Sequence, residues 1–143
     1  MEGQFQFSAW VKYGEYQTIW DVRLRGIYLL AHFDTPPTQA PSVTDKNVIY
    51  IGGTTEQSMA TKLLKFGQAA FQRAPAHSGG KKYSDGYLNS SIVEEPPENL
   101  YVATMGIPLT KTDEAKVYIK YLEQAAVWAF FQENKSLPRC NTV

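Results

Sequence analysis

Two short stretches constrain this chain most: Gly26-Ile27-Tyr28 and Tyr50-Ile51-Gly52. Each lies in a run with strand character, Leu24 to Phe33 and Asn47 to Gly52. The connection between them is polar and carries three prolines, Pro36, Pro37 and Pro41. Two such runs joined by a turn-rich connection predict an antiparallel pair. The pair would bring Tyr28 and Tyr50 into one sheet, side by side. Two phenols on neighbouring strands are ordinarily sheet packing, so a role in chemistry needs other residues to support it.

Alternation of Phe5, Phe7, Ala9 and Val11 against Gln4, Gln6, Ser8 and Lys12 predicts a further strand over 4–12. Tyr13-Gly14-Glu15 can turn it, and Tyr16 to Trp20 can return as the second arm of a hairpin. Trp10 and Trp20 then serve as packing residues. After the second tripeptide, Thr54 or Thr55 can cap a helix from Glu56 to Phe71. Met59, Leu63, Phe66 and Ala70 recur at helical spacing and define its buried face. Lys62 sits at the margin of that face, about 60° from its centre, and Lys65 points further out. The stretch from Ala74 to Asn89 is rich in Gly, Ser, Pro and Lys and reads as loop. Leu100, Val102 and Thr104 alternate in a strand from Asn99 to Met105. Thr110 or Thr112 caps a long helix from Asp113 to Asn134. Strands and helices mix along a chain of 143 residues. That predicts a single domain, 1–143, as a compact α/β or α+β sandwich with a small, mostly antiparallel sheet.

Composition narrows function modestly. No apolar run approaches the ~20 residues that span a bilayer. Met1-Glu2-Gly3-Gln4 lacks a basic start and an apolar core, so no secretory leader is expected. One cysteine, Cys140, allows no internal disulfide and fits a reducing compartment, so a cytoplasmic location is expected. The formal net charge is zero, which counts against an obligate, non-specific nucleic-acid binder. The charge is uneven, however. From Gln57 to Ser84 there is no acid, but there are Lys62, Lys65, Arg73, Lys81 and Lys82, with His77 among them. Such a stretch can hold a phosphate backbone, although on charge alone a solvated helix face and loop is the preferred reading.

Glu123 is the most informative single position. Its helix is apolar nearly all round, with Val117, Tyr118, Ile119, Leu122, Ala126, Val127, Trp128, Phe130 and Phe131, which predicts burial on more than one side. Glu123 shares a stripe with Ile119 and Val127. A carboxylate there needs a cation, a metal or several hydrogen bonds. The alternative is an exposed Glu paired with Lys120. No H-E-x-x-H, Cys/His cluster, Walker loop or serine elbow is present, and His32 and His77 are not spaced as a ligand pair. One buried carboxylate, two tyrosines and a basic side chain suit a hard cation that acts on a phosphodiester.

With these residues in place, the chain resembles the GIY-YIG nuclease superfamily. The likeness covers residues 26 to 141: the two tripeptides, the following helix, Glu123 and Asn141, in that order. His77-Ser78-Gly79-Gly80 also looks like a segment seen in restriction-like members. The resemblance implies an α+β fold, with a small three-stranded antiparallel sheet flanked by helices and the N-terminal hairpin as an addition. It implies a DNA endonuclease that uses Mg2+ or Mn2+, with duplex DNA as partner and no membrane. A two-strand cut needs two sites, so a homodimer is expected. Carried over residue by residue, Tyr28 and Tyr50 line the site and handle the water, Glu123 binds the metal, and Asn141 supports the site by hydrogen bonding. Lys62 stands where the family has arginine, and it keeps the charge without the planar fork. Phe66 stands where some restriction-like members have histidine, and His77 is the candidate to replace that group. The connection between the tripeptides is longer than in the family's shortest forms. Lys65, Arg73, Lys81 and Lys82 are candidates for substrate binding. Two alternatives follow from the departures: a module that kept the fold and lost the chemistry, binding nucleic acid or protein, and a phosphodiesterase acting on a small nucleotide.

Overall fold

The computed structural model describes residues 4–142. Four strands form one sheet: β1 (Val11–Lys12), β2 (Gly26–His32), β3 (Val48–Thr54) and β4 (Leu100–Gly106). Their order is β1-β4-β2-β3, and every neighbouring pair is antiparallel. The β2–β3 pair is the one the tripeptides predict. Tyr28 stands opposite Gly52 and Leu30 opposite Tyr50, so the two tyrosines are diagonal neighbours on one face. Three helices cover the sheet: α1 (Met59–Gln72), α2 (Ser78–Tyr87) and α3 (Thr112–Asn134).

β2 is the central strand, and its residues are buried on both sides. Tyr28 and Leu30 join Leu100 and Val102 against α1 and α2, where Met59, Leu63, Phe66 and Tyr83 are fully buried. Ile27, Leu29 and Ala31 join Ile51 and Tyr101 against α3, through Ile119, Leu122, Ala126 and Phe130. Each of the large apolar side chains contributes about 1.5–3 kcal/mol relative to exposure. Asp21, a buried acid, accepts from the Gly106 N–H at 2.7 Å and from the Thr104 hydroxyl, and so ties the segment before β2 to β4.

Several expectations are corrected. The sheet has four strands, not three. Among the described residues there is no N-terminal hairpin: Val11–Lys12 forms β1 against β4, and Tyr13–Thr18 coils into a 3-10 helix. Tyr13 and Tyr16 turn inward there, and the Tyr13 hydroxyl donates to the Leu63 carbonyl. Trp10 packs edge-on against Phe33, whereas Trp20 is 82% exposed and packs nothing. The cap of α1 is Ser58, whose hydroxyl accepts from the Thr61 N–H. Thr54 instead closes the preceding turn onto Gln57. The start of α3 has Lys111 as cap, with no side-chain hydrogen bond from either threonine. The expected loop 74–89 contains α2. Finally, α3 buries only one side, for Val117 is 71% and Trp128 59% exposed.

β3 is an edge strand, and its outer edge is occupied by the chain's own tail. The Cys140 N–H donates to the Ile49 carbonyl at 2.8 Å. The Asn141 amide takes both backbone groups of Ile51: Oδ1 accepts from the N–H and Nδ2 donates to the carbonyl, each at 2.9 Å. An amide presents donor and acceptor side by side, as an adjacent strand does. Asn141→Ala leaves both groups to water, and a loss of about 1–2 kcal/mol is expected. Urea unfolding checks it: the midpoint should fall while the slope stays unchanged.

Candidate active site

The site forms where β3 ends. Gly52 and Gly53 point to opposite faces of the sheet. On the α1–α2 face, a Cβ at Gly52 would lie 2.5 Å from Cζ of Tyr28 and 2.6 Å from Cε2 of Tyr50. On the α3 face, a Cβ at Gly53 would lie 3.1 Å from the carboxyl carbon of Glu123. The missing side chains let both phenols and the carboxylate close in around the edge strand, so the tripeptide glycine is needed for space.

His77 joins from α2. Its Nδ1 accepts from the Gly80 N–H at 3.1 Å and caps the helix. A backbone N–H can only donate, so Nε2 carries the imidazole proton and donates to the Tyr28 hydroxyl at 3.1 Å. The ring also packs edge-on against Tyr50 and Phe66, at 5.4 and 5.5 Å between centroids. Tyr28 and Tyr50 lie 6.1 Å apart. Burial holds His77 down to about 4, and the charges of Lys62 and Lys65 push in the same direction. It is therefore neutral near pH 7. Burial raises Tyr28 well above its ordinary value, followed by Tyr50 and Glu123. Burial and Glu123 push Tyr50 up to about 12, while a hydrogen bond from Tyr28 works the other way. Tyr28 is only 1% exposed, so it holds Tyr50 and faces no solvent. Tyr50 is half-buried.

A polar cleft of about 350 Å3 lies beside this group, lined by Lys62, Lys65, Lys120 and Glu123 together with the turn from Gly53 to Gln57. Glu123 is half-buried and, among the described residues, its carboxylate has no hydrogen-bond or ion-pair partner within 4 Å. Burial raises its pKa, while Lys120 and Lys62 oppose the rise. Lys120 thus acts at a distance and forms no close pair. Lys62 borders the cleft in the register expected for it, and Lys65 donates to Gln57 at 3.3 Å. Glu56, at the same cleft, pairs with Lys116 at 2.7 Å.

The other basic candidates lie elsewhere. Arg73 caps α1 in the left-handed conformation and donates to Asp85 at 3.0 Å, and Lys81 pairs with the same carboxylate at 3.1 Å. Hydrogen bonds from Arg73, Lys81 and Ser90 hold Asp85 at about 2. These two cations are spent on α2 and border a separate hollow by His77. Lys82 is exposed and its charge is felt by Cys140, away from the cleft. Burial lifts Cys140 to about 11, which keeps it a thiol. Lys120 is the cleft residue that the sequence places only as a partner for Glu123; its i,i+3 spacing to that residue was the available signal. Asn141 supports the strand between Tyr50 and Gly52 through its two bonds to Ile51.

Any divalent ion here would have few protein ligands. Among the described residues no cluster of three or more His, Cys, Asp or Glu could enclose one. Mg2+ takes one or two carboxylates and completes its shell with water and phosphate oxygens, so Glu123, with Glu56 at the rim, fits that donor set. No family model matches this chain, and no curated protein or solved structure matches it either.

The histidine makes a prediction about acid. Its folded pKa of about 4 lies below the ordinary 6.5, so the unfolded chain takes up the proton first. Stability is whole above pH 6.5 and falls as pH drops towards 4, by roughly 3 kcal/mol. His32, also lowered by burial, adds a slope of the same sign. His77→Asn keeps the cap acceptor and removes the titration. Urea midpoints between pH 4 and 7 should fall less steeply in that variant, and equal slopes in the two proteins would remove His77 from the account.

Proposed function

We propose that this chain is a divalent-metal-dependent DNA endonuclease of the GIY-YIG type. The observation that carries the reading is Glu123: a half-buried carboxylate without a close partner, in a cleft with three lysines, beside a fixed His77–Tyr28–Tyr50 chain. A carboxylate left in that position is costly unless it serves a ligand. The phosphodiester lies against Lys62, Lys65 and Lys120, which offset the charge that builds on its oxygens. Tyr50, the more exposed phenol, orients the attacking water and, once its own proton has gone to solvent, takes the water's proton as a phenolate. His77 donates to Tyr28, whose ring packs against Tyr50 at 6.1 Å between centroids, so the position of Tyr50 is inherited from a helix cap. With Tyr50 at about 12, formation of that phenolate depends on cationic charge in the cleft. Glu123 would hold the divalent ion, which when bound supplies charge neutralisation at the leaving oxygen. Two copies acting together would cut both strands of a duplex.

One observation favours a second reading. Lys62 replaces the family's arginine and Phe66 the histidine of some restriction-like members, and a chain that kept the fold without the chemistry would bind nucleic acid in a salt-sensitive manner and cut nothing.

Supercoiled plasmid with Mg2+ or Mn2+ separates them. Nicking is expected, with a drop of about 100-fold or more in Glu123→Gln and in Tyr50→Phe, and retained or increased activity in Lys62→Arg. Cutting that survives both losses would sink the assigned site. Salt-sensitive binding with no cutting by any variant would favour the binding module.

A further inference from the structure

Glu123 and Lys120 border two cavities at once. One is the polar cleft. The other, about 690 Å3, runs along the C-terminal half of α3 towards the tail, past Trp128, Phe131 and Leu137. Positions 120, 123, 124, 127, 128 and 131 are separated by three, one, three, one and three residues, so they form one continuous helix stripe. That stripe changes character along its length. It begins with an ammonium and a carboxylate, passes the amide of Gln124, and ends in two aromatic rings. Trp128 is 59% and Phe131 41% exposed, and their planes differ by 11°. An exposed aromatic surface next to a polar cleft marks a binding surface.

We propose that this groove binds an unpaired DNA base, stacked on Trp128 and Phe131, whose own phosphate lies at Lys120. The proposal rests on the nuclease reading of the cleft and specifies its substrate as a strand with a bulged, frayed or flipped base beside the cut. The charge pattern selects this occupant. A nucleotide is anionic at one end and a flat apolar ring at the other, which matches the stripe in order. Trp128 lies eight residues beyond Lys120, ~12 Å of helix rise, a span that one nucleotide and the long lysine side chain bridge together. The side-chain amide of Gln124 offers both a donor and an acceptor to a base edge. A second copy laying an apolar helix here would instead bury Lys120 and Glu123 without partners of its own, which is strongly unfavourable.

The test is binding without cleavage. Fluorescence anisotropy in EDTA compares three labelled duplexes: fully paired, with one bulged base, and with the same bulge lacking its base. Trp128→Ala should weaken binding to the bulged-base duplex by roughly 5- to 100-fold. Trp128→Phe should retain most of the affinity, and the duplexes without an unpaired base should bind all three proteins alike. Equal affinity of wild type and Trp128→Ala for the bulged-base duplex overturns the proposal, as does an equal loss on the abasic bulge. A change of sedimentation coefficient in Trp128→Ala would assign the face to a second copy. The two readings fail separately: Trp128-dependent binding by a protein that never cuts removes the nuclease, and cutting with Trp128-independent binding removes only this subsite.

Discussion

Two absent side chains govern the site. At Gly52 the phenols of Tyr28 and Tyr50 fill the space a Cβ would take, and at Gly53 the Glu123 carboxylate does so on the other face. A sheet normally keeps the side chains of its two faces apart, because successive residues point to opposite sides of the backbone. Here the barrier thins to bare backbone at the end of an edge strand. Groups carried by α1, α2 and α3, which pack on opposite sides, can then feel one another. That is why Glu123, on α3, affects the ionisation of Tyr28 and Tyr50, whose rings lie on the other face of the sheet. Any side chain at either glycine would separate the halves before it altered a single charge.

The electrostatics follow from that meeting. Burial alone would keep His77 neutral, both phenols protonated and Glu123 reluctant to ionise. The lysines act on these groups with different signs. They press His77 further towards neutrality and draw Glu123 back towards the charged form. The arrangement therefore separates a neutral group, His77 hydrogen-bonded to Tyr28 with the Tyr50 ring against both, from a charged cleft of Lys62, Lys65, Lys120 and Glu123. Asp85, on α2, pairs with Arg73 and Lys81, so these two cations are engaged outside the cleft.

How much of this could be read from residues alone depended on which signal was local. The alternation in 24–33 and 99–105 and the spacing of Met59, Leu63, Phe66 and Ala70 report burial directly, and the strands and α1 lie where those patterns place them. The stretch 74–89 misled because its glycines carry the signature of a loop. In α2 they serve close packing: a Cβ at Gly79 would strike the Tyr50 ring at 2.6 Å. The 4–12 alternation misled: Ala9 is exposed while Gln4 and Ser8 are half-buried, and the strand is limited to Val11–Lys12 before Tyr13 and Tyr16 turn inward. The composition of α3 overstated burial, since its outer aromatics line a groove open to solvent. At the site, the two tyrosines, His77, Lys62 and Glu123 were nameable in advance. Which phenol faces outward was not, because that depends on the diagonal register opposite Gly52. Nor was the loss of Arg73 and Lys81 to Asp85, which needs the fold of α2.

The tail that pairs with β3 has a consequence for how the chain is made. Ile49 and Ile51 are synthesised about ninety residues before Cys140 and Asn141, their hydrogen-bond partners. Until position 141 has left the ribosome, the strand that carries Tyr50 shows a free backbone edge to the cell. The nascent domain can hold its central strands and helices by then, yet its outer edge is the place where another chain could add itself. Closure of that edge waits for the tail, so a stalled or truncated product is adhesive.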